Sequence, residues 1–330
     1  MLLFALLLAQ QPPDLSGVYD IATLTPLSRP DYVGGRASLT DAEAQALARM
    51  AAAVKAKGDA ATDPNRAAPP PGGDGSEGAA GNVGGYNTLW VDNGTGAFKI
   101  DGKFRTSILT DPANGRMPPM TEQARKNAAM RARMSRPNKG DAFWIRENLS
   151  PGPYDDPELR PTAERCLMGF GSSAGPPALP VLYNNLKQIV QTKDTVVILN
   201  EMVHDARVVR IGGQHEPPDI RRWLGDSVGR WEGNTLVVDT INFNDTPALG
   251  NASRNLHVVE RFRRIDAKTL LYQFTVEDPT VWTKPWSGEL IWPATEQRIF
   301  EYACHEGNYS FAGILRGARV LEADELKKVK

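Results

Sequence analysis

Short strand-like runs follow one another through the C-terminal half of the chain, and this succession constrains the fold more than any other feature. Turns such as WEGN, IDAK and WPATEQ join the runs, and no crossover helix is apparent between them. The pattern predicts a mainly β fold, as an antiparallel, lipocalin-like barrel or a strongly curled sheet. The runs occupy residues 188–202, 206–211, 235–243, 257–265, 269–276, 287–292 and 299–305.

Two helices are expected at the periphery of this β region. Thr40 and Glu43 have the spacing of a capping box, and the apolar residues that follow predict a helix to Gly58. Thr121 is a suitable N-cap for a second helix over 122–135, which a proline stops. Both helices are expected to pack on the surface of the β domain.

Two segments of the chain predict irregular structure. Residues 60–85 consist largely of Ala, Pro, Gly and Asp, which favours a mobile loop, either a plain insertion or a lid. Residues 141–183 are also rich in Pro and Gly, yet they contain Trp144 and Phe170, whose rings must pack against something. We expect a long ordered arm that lies across the barrel and is held by Cys166.

The N-terminal sequence MLLFALLLA is typical of the apolar part of a secretory signal, although no basic segment precedes it. This run falls well short of the ~20 residues that a membrane-spanning helix needs. The alternative is a buried N-terminal strand or helix. We therefore expect a signal peptide over 1–10 and a single β-rich domain over 11–330, periplasmic or secreted and with no stable membrane anchor.

The chain contains two cysteines, Cys166 and Cys304, and an exported protein commonly pairs a small, even number of them. We expect a disulfide bond between the arm and the last strand; the alternative is two free buried thiols. The net charge of −1 gives no reason to expect a nucleic-acid partner.

Several long motifs resemble a widespread family of exported bacterial proteins. They are VVILNEMVHDAR, WLGDSVGRWEGNTLVVDTINF, NLHVVERFRRIDAKTL, TVEDPTVWTKPW and EYACHEGNY, and the likeness covers most of residues 84–319. The resemblance implies export and a common architecture, but it implies no reaction.

A polar island interrupts the apolar strand-like stretch 195–211. It consists of Glu201, His204, Asp205 and Arg207. Burying such groups is costly unless they are paired or hydrogen-bonded, so the island predicts a wet cavity or a tight polar network. Strict alternation places His204 and Asp205 on opposite faces, and both serve one site only if the strand is bulged or ends there.

Later strands add further polar groups to the same predicted patch. Asp239 lies on a mostly apolar strand face, His257 and Arg261 share a face of the next strand, and Glu301 and His305 share one in the last. Three of the four histidines thus lie in or beside strands that carry carboxylates. Histidine beside a carboxylate is suited to acid–base chemistry near neutral pH. The candidate catalytic residues are Glu201, His204, Asp205, His257 and His305, and the candidate ligand-binding residues are Arg207, Asp239, Arg261, Glu301, Trp223 and Trp286.

These residues fit three classes of function. The leading expectation is an exported enzyme of the lyase, isomerase or hydrolase type, acting on a small organic or carbohydrate-derived substrate in a barrel cavity. The alternatives are a lipocalin-like carrier of an apolar or aromatic ligand, and a cell-envelope interaction protein. The polar groups could also simply satisfy one another.

No phosphate-binding loop or GxGxxG motif is present, so we expect no organic cofactor. Two histidines and a carboxylate suit several metals, but no HxH or HExxH spacing occurs, and we predict no metal site.

Overall fold

The computed structural model describes residues 12–59, 65, 91–136 and 139–328. The predicted signal peptide over 1–10 and nearly all of the low-complexity segment over 60–85 lie outside the described residues. The helices are α1 (Asp41–Gly58), α2 (Glu122–Met134), α3 (Phe143–Arg146), α4 (Cys304–Gly307) and α5 (Tyr309–Lys328). The strands are β1 (Gly17–Asp20), β2 (Ser38–Leu39), β3 (Lys99–Ile100), β4 (Lys103–Arg105), β5 (Leu109–Asp111), β6 (Leu186–Gln191), β7 (Thr195–Asn200), β8 (Ala206–Ile211), β9 (Asp226–Glu232), β10 (Thr235–Ile241), β11 (His257–Asp266), β12 (Thr269–Glu277) and β13 (Trp286–Pro293).

Ten of the strands form one strongly curled sheet, a half-barrel, in the order β1-β6-β7-β8-β9-β10-β11-β12-β13-β5. This confirms the predicted mainly β fold with a curled sheet. The curl brings β1 to the end of β13, where Tyr19 bridges Ala294 and the Thr295 N–H donates to the Val18 carbonyl at 2.9 Å. A small separate sheet has the order β2-β4-β3.

One strand pair departs from the predicted antiparallel pattern. Strands β8 and β9 are parallel, with Val209 opposite Ser227 and Ile211 opposite Gly229. Two neighbouring parallel strands need a crossover connection, which carries the chain from the end of one strand back to the level where the other begins. Residues 212–225 form this connection without a helix. Sequence patterns missed β9 because its charged and glycine residues, DSVGRWE, do not form a continuous apolar run.

Alternation along the strands separates a buried inner face from a half-exposed outer face. In β11 and β12 the inner positions include Phe262 and Tyr272, whose ring centroids lie 4.9 Å apart, and Trp292 of β13 lies 4.9 Å from Tyr272. All three side chains are fully buried. Burying rings of this size contributes a large share of the hydrophobic stabilisation of the core.

The two predicted peripheral helices are confirmed. Thr40 and Glu43 form the capping box of α1, and the Thr121 side chain accepts from the Ala124 N–H at the start of α2. Helix α5 was not expected. It contributes Ala318 to a second, smaller core together with Phe143, Trp144 and Tyr154 of the arm.

The predicted strand over 299–305 is wrong. The chain leaves the sheet after β13, runs without regular structure and then forms α4 and α5. Its apolar and aromatic residues resemble a strand, but the β13 edge is already occupied by β5, so the segment finds no partner there. The segment instead lies beside the arm, because the predicted disulfide bond joins Cys304 to Cys166 with Cα atoms 5.7 Å apart.

The arm over 141–183 is mostly irregular. It contains α3 and one short 3-10 turn, Pro157–Leu159. Its last part lies against the inner face of the sheet, where the Ala178 N–H donates to the Tyr272 hydroxyl at 2.9 Å. Among the described residues, none of the helices combines the length and the apolar composition needed for crossing a membrane.

Candidate functional site

The polar island of 195–211 lies at a tight turn and not within one strand. Strands β7 and β8 pair as an antiparallel hairpin, and the Asn200 N–H donates to the Asp205 carbonyl at 2.8 Å. Val203 and His204 take left-handed backbone conformations, with φ of 59° and 42°. The run 188–202, expected as one strand, is divided between β6 and β7, and the strand ends at the island: the chain reverses at Glu201, so the alternation used to assign faces does not pass through it.

Arg207 and Glu260 form an ion pair on the inner face of the sheet. The Arg207 Nη1 group contacts Glu260 Oε2, and Nη2 donates to Glu260 Oε1 at 2.9 Å. The Tyr272 hydroxyl donates to the same Glu260 oxygen at 2.7 Å. Both charged side chains are almost fully enclosed, with 2% and 0% exposure, so this pair is part of the buried inner face and is closed to solvent.

Lys187 of β6 is a third charged group on the inner face. Its Nζ donates to the Ser173 carbonyl at 2.6 Å, and burial lowers the pKa of Lys187 to about 7. Asp205 lies nearby at the end of the hairpin, where burial raises the pKa of its carboxyl to about 6. Both groups therefore change charge within the physiological pH range.

Two histidines and three carboxylates form a connected chain on the outer face, which we call the outer His–Asp chain. It crosses from β8 to β12, because its strand members occupy outward positions of neighbouring strands. Its contacts run from Arg210 Nη1 to Asp226 (2.7 Å), Asp226 to His215 Nδ1 (2.9 Å), His215 Nε2 to Asp239 (2.9 Å), Asp239 to His257 Nε2 (2.9 Å) and His257 Nδ1 to Glu277 (3.4 Å).

Hydrogen bonding sets the protonation within the outer His–Asp chain. The bond to Asp239 raises the pKa of His257, and the same bond lowers the pKa of Asp239. Burial opposes ionisation of Asp226, but hydrogen bonds from Arg210, the Glu216 N–H and His215 outweigh it and lower the Asp226 pKa to about 2. The outer His–Asp chain thus favours ionised aspartates and a protonated imidazole at His257.

Sequence patterns missed His215, which is the centre of the outer His–Asp chain. It lies in the connection 212–225, outside every expected strand, and that connection reaches the outer face only because β8 and β9 are parallel. The available signal was weak: His215 is one of only four histidines and is followed by Glu216.

A cavity of about 900 Å³ lies between the arm, the start of β6, the hairpin turn and the C-terminal segment. Two predicted site residues, Glu201 and Glu301, line it together with both disulfide cysteines. Most of its remaining wall consists of aromatic, amide and further acidic side chains. These include Asp92, Glu164, Tyr183, Asn184, Phe300, Tyr302, Asn308 and Phe311.

Glu201 gives this cavity its most unusual group. Glu201 is only 3% exposed, and its Oε1 accepts a hydrogen bond from the Phe300 N–H at 2.9 Å. A carboxylate has about four acceptor positions, so one donor leaves most of its hydrogen-bonding capacity unused.

The remaining predicted residues lie apart from the cavity. Arg261 pairs with Glu232 on the outer surface at 2.9 Å, and Trp223 is half-buried in a turn of the crossover connection. Trp286 is fully buried in the core, 5.5 Å from Trp282 between ring centroids. His305 is exposed on α4 beside the disulfide bond. The expected single patch therefore divides into the inner face, the outer His–Asp chain and the cavity.

Within the part of the chain that the structure describes, no group of three or more His, Cys, Asp or Glu side chains is arranged to hold a metal ion. Comparison of the chain with protein-family models, with curated proteins and with solved structures found no match. The resemblance to exported bacterial proteins therefore stays a prediction.

Proposed function

We propose that this chain is a small-molecule binding protein and that its ligand occupies the cavity beside the Cys166–Cys304 bond. The observation that carries the proposal is the cavity itself, whose volume of about 900 Å³ falls within the range of about 300–1,000 Å³ typical of small-molecule sites. Apolar walls with a few converging polar groups are also typical of such sites.

The positions of the histidines favour binding over acid–base catalysis. His215 and His257 belong to the outer His–Asp chain, His204 is exposed at the hairpin turn, and His305 is exposed on α4 and does not line the cavity. The cavity wall instead presents apolar surface to solvent, with Phe300 64% exposed and Ile314 36% exposed. A ligand that covers these side chains would remove this apolar surface from water.

Export of the protein is part of the same proposal. A disulfide bond between Cys166 and Cys304 is compatible with an oxidising compartment, and the N-terminal sequence and the family resemblance favour the same location. A periplasmic or secreted binding protein would take up its ligand outside the cytoplasm.

A second candidate, an acid–base enzyme whose site lies at the hairpin turn, rests on Lys187 and Asp205. Their pKa values of about 7 and about 6 suit proton transfer near neutral pH. Lys187 pairs with Asn200 across the β6–β7 ladder, and Asp205 closes the turn that begins at Glu201; neither residue belongs to the cavity lining. This candidate predicts that a bound ligand is chemically changed, whereas a binding protein returns it unaltered.

Fluorescence titration with the neutral apolar dye N-phenyl-1-naphthylamine tests the binding proposal. We expect saturable binding to the wild-type protein and its loss in Ala303→Trp, because Ala303 lines the cavity and an indole ring there fills part of it. The matched control is Ala323→Trp, at an exposed position of α5 outside the cavity lining. Unchanged binding in Ala303→Trp, with both variants folded, would contradict the proposal.

A further inference from the structure

We propose that the ligand of this cavity is an organic cation, an amine or quaternary ammonium compound with an apolar body. The inference rests on the proposed binding function and adds the charge of the ligand. It is carried by the charge of the cavity wall, by the incomplete pairing of Glu201 and by the aromatic rings beside it.

The charge of the cavity wall is negative. Asp92, Glu164, Glu201 and Glu301 line it, and none of the lining side chains that the structure describes is Lys, Arg or His. Glu164 is neutralised by Arg160, whose guanidinium donates to both carboxylate oxygens at 2.9 Å. The other three acidic side chains form no ion pair within the described residues, which leaves an excess of negative charge.

Glu201 is the group that most needs a positive partner. It is almost completely removed from bulk water, yet the Phe300 N–H is its one hydrogen-bond donor among the described residues. Lys187 attracts it electrostatically, but the Lys187 ammonium donates to the Ser173 carbonyl and burial lowers its pKa to about 7. An enclosed carboxylate that lacks a full counter-charge is costly, and a bound cation would reduce this cost.

The pKa of Asp20 gives a second indication that the electrostatic potential near the cavity is negative. Burial raises the pKa of this carboxyl, and the charges of Asp92 and Glu201 raise it further. Two acidic side chains of the cavity thus already repel a third carboxylate nearby. An anionic ligand would meet the same repulsion, whereas a cation would relieve it.

The aromatic rings of the cavity favour an organic cation over a metal ion. Tyr183, Phe300, Tyr302 and Phe311 line the same space as the carboxylates. Ring faces attract ammonium groups, and cages of aromatic rings commonly bind quaternary ammonium ligands. A metal ion needs several ligands at short distances, and the described acidic side chains do not converge in that way.

Displacement of N-phenyl-1-naphthylamine by matched probes tests this inference. The probes are phenyltrimethylammonium, its neutral isostere tert-butylbenzene and the anion benzenesulfonate. We expect the cation to displace the dye at a concentration about tenfold lower than the neutral probe, as cation–π and charge attraction together would produce. The anion should be the weakest competitor.

The variants Glu201→Gln and Glu301→Gln should each reduce the preference for the cation while dye binding persists. Glu301 is exposed, so the second variant keeps the test valid if the first fails to fold. The control is Glu232→Gln, on the outer surface and away from the cavity, which should leave the preference unchanged. If the three probes compete equally while the dye binds, the cation inference is wrong and the binding function stands. If neither dye nor probes bind, the binding function itself is wrong.

Discussion

Arg207 and Glu260 show why polar residues occur in otherwise apolar strands of this chain. The pair lies on the inner face, nearly without exposure, and the Tyr272 hydroxyl donates a further hydrogen bond to Glu260. A buried pair adds little net stability relative to apolar residues, but removal of one partner leaves a charge buried and uncompensated. The cost of single substitutions here should therefore greatly exceed that of substitutions in exposed pairs.

Glu260→Gln should lower the free energy of unfolding by about 3–5 kcal/mol, because it leaves the Arg207 guanidinium enclosed without a counter-charge. The control Glu232→Gln removes an exposed carboxylate that pairs with Arg230 and Arg261, and its effect on stability should be small, because solvent screens exposed ion pairs. Urea unfolding of both variants measures the difference. Equal effects in the two variants would show that the inner pair is not enclosed as described.

His257 should make stability depend on pH. Hydrogen bonding to Asp239 raises the folded-state pKa of His257 above its ordinary value of 6.5, so the imidazolium contributes stability that is fully present below pH 6.5. That contribution is lost as pH rises through the folded-state pKa. Asp239, whose pKa is lowered, loses its own contribution only in acid, below its ordinary value of 3.8.

The variant His257→Gln isolates this effect from the other titrating groups. We expect the difference in unfolding free energy between wild type and variant to be largest below pH 6.5 and to shrink as the pH rises above 6.5 through the folded-state pKa of His257. Urea unfolding at each pH gives the difference directly. A difference that does not change with pH would mean that His257 keeps the same charge in the folded and unfolded chain.

Two glycines flank β9, and their surroundings differ. Gly225 and Gly233 have φ of +71° and +60°, a region that L side chains rarely adopt. A Cβ at Gly225 would lie 2.7 Å from the Thr240 Cγ2 and 2.8 Å from the Ile241 carbonyl oxygen, whereas one at Gly233 would meet nothing within 4 Å. Gly225 thus allows the crossover connection to enter the sheet against β10.

Gly225→Ala should therefore destabilise the protein more than Gly233→Ala. Both carry the left-handed backbone cost of about 1–2 kcal/mol, and only Gly225→Ala adds a clash with backbone. The difference between the urea-unfolding midpoints of the two variants measures the destabilisation that the clash alone causes, because the backbone cost is common to both. A cost for Gly233→Ala equal to or above that for Gly225→Ala would contradict the described approach of the crossover to β10.

The disulfide bond joins two elements that both line the cavity. Cys166 and Cys304 are 138 residues apart, so on the entropic estimate the bond stabilises the fold by up to ~5 kcal/mol. Replacement of both by serine should lower the free energy of unfolding by about 2–5 kcal/mol and weaken dye binding, because the C-terminal wall is released from the arm. The reduced wild-type protein is the control and should behave in the same way. Full-affinity dye binding in the folded double-serine variant would show that the wall does not depend on the bond.

The curled sheet was predictable because local patterns report it: β10 to β13 follow the alternation of inner and outer residues, and capping residues mark α1 and α2. The parallel β8–β9 pair was not predictable, since nothing within either strand records the direction of its neighbour. The segment 299–305 misled for a related reason: its apolar residues resemble a strand, but the segment lies beside the arm, tied to it by the disulfide bond, and Phe300 stays exposed at the cavity wall.

The candidate site was less predictable than the fold. The cavity joins Asp92, Glu164, Glu201 and Glu301, which are far apart in sequence and meet only through the curl of the sheet and the disulfide bond. Sequence patterns named Glu201 and Glu301 as candidates, and both line the cavity. They also grouped His257 and Asp239, but could not separate the outer face from the cavity, because the hairpin turn at Glu201 was taken for a continuous strand.

The central claim is that the molecule acts through its cavity and not through the outer His–Asp chain. Native mass spectrometry of the protein purified from its own host, without refolding, tests this claim most directly. The account predicts one co-purifying cationic small molecule, of unchanged mass after incubation, in the wild type and in His257→Gln, and its absence in Ala303→Trp. Retention of the molecule by folded Ala303→Trp, or its loss from folded His257→Gln, would contradict the account.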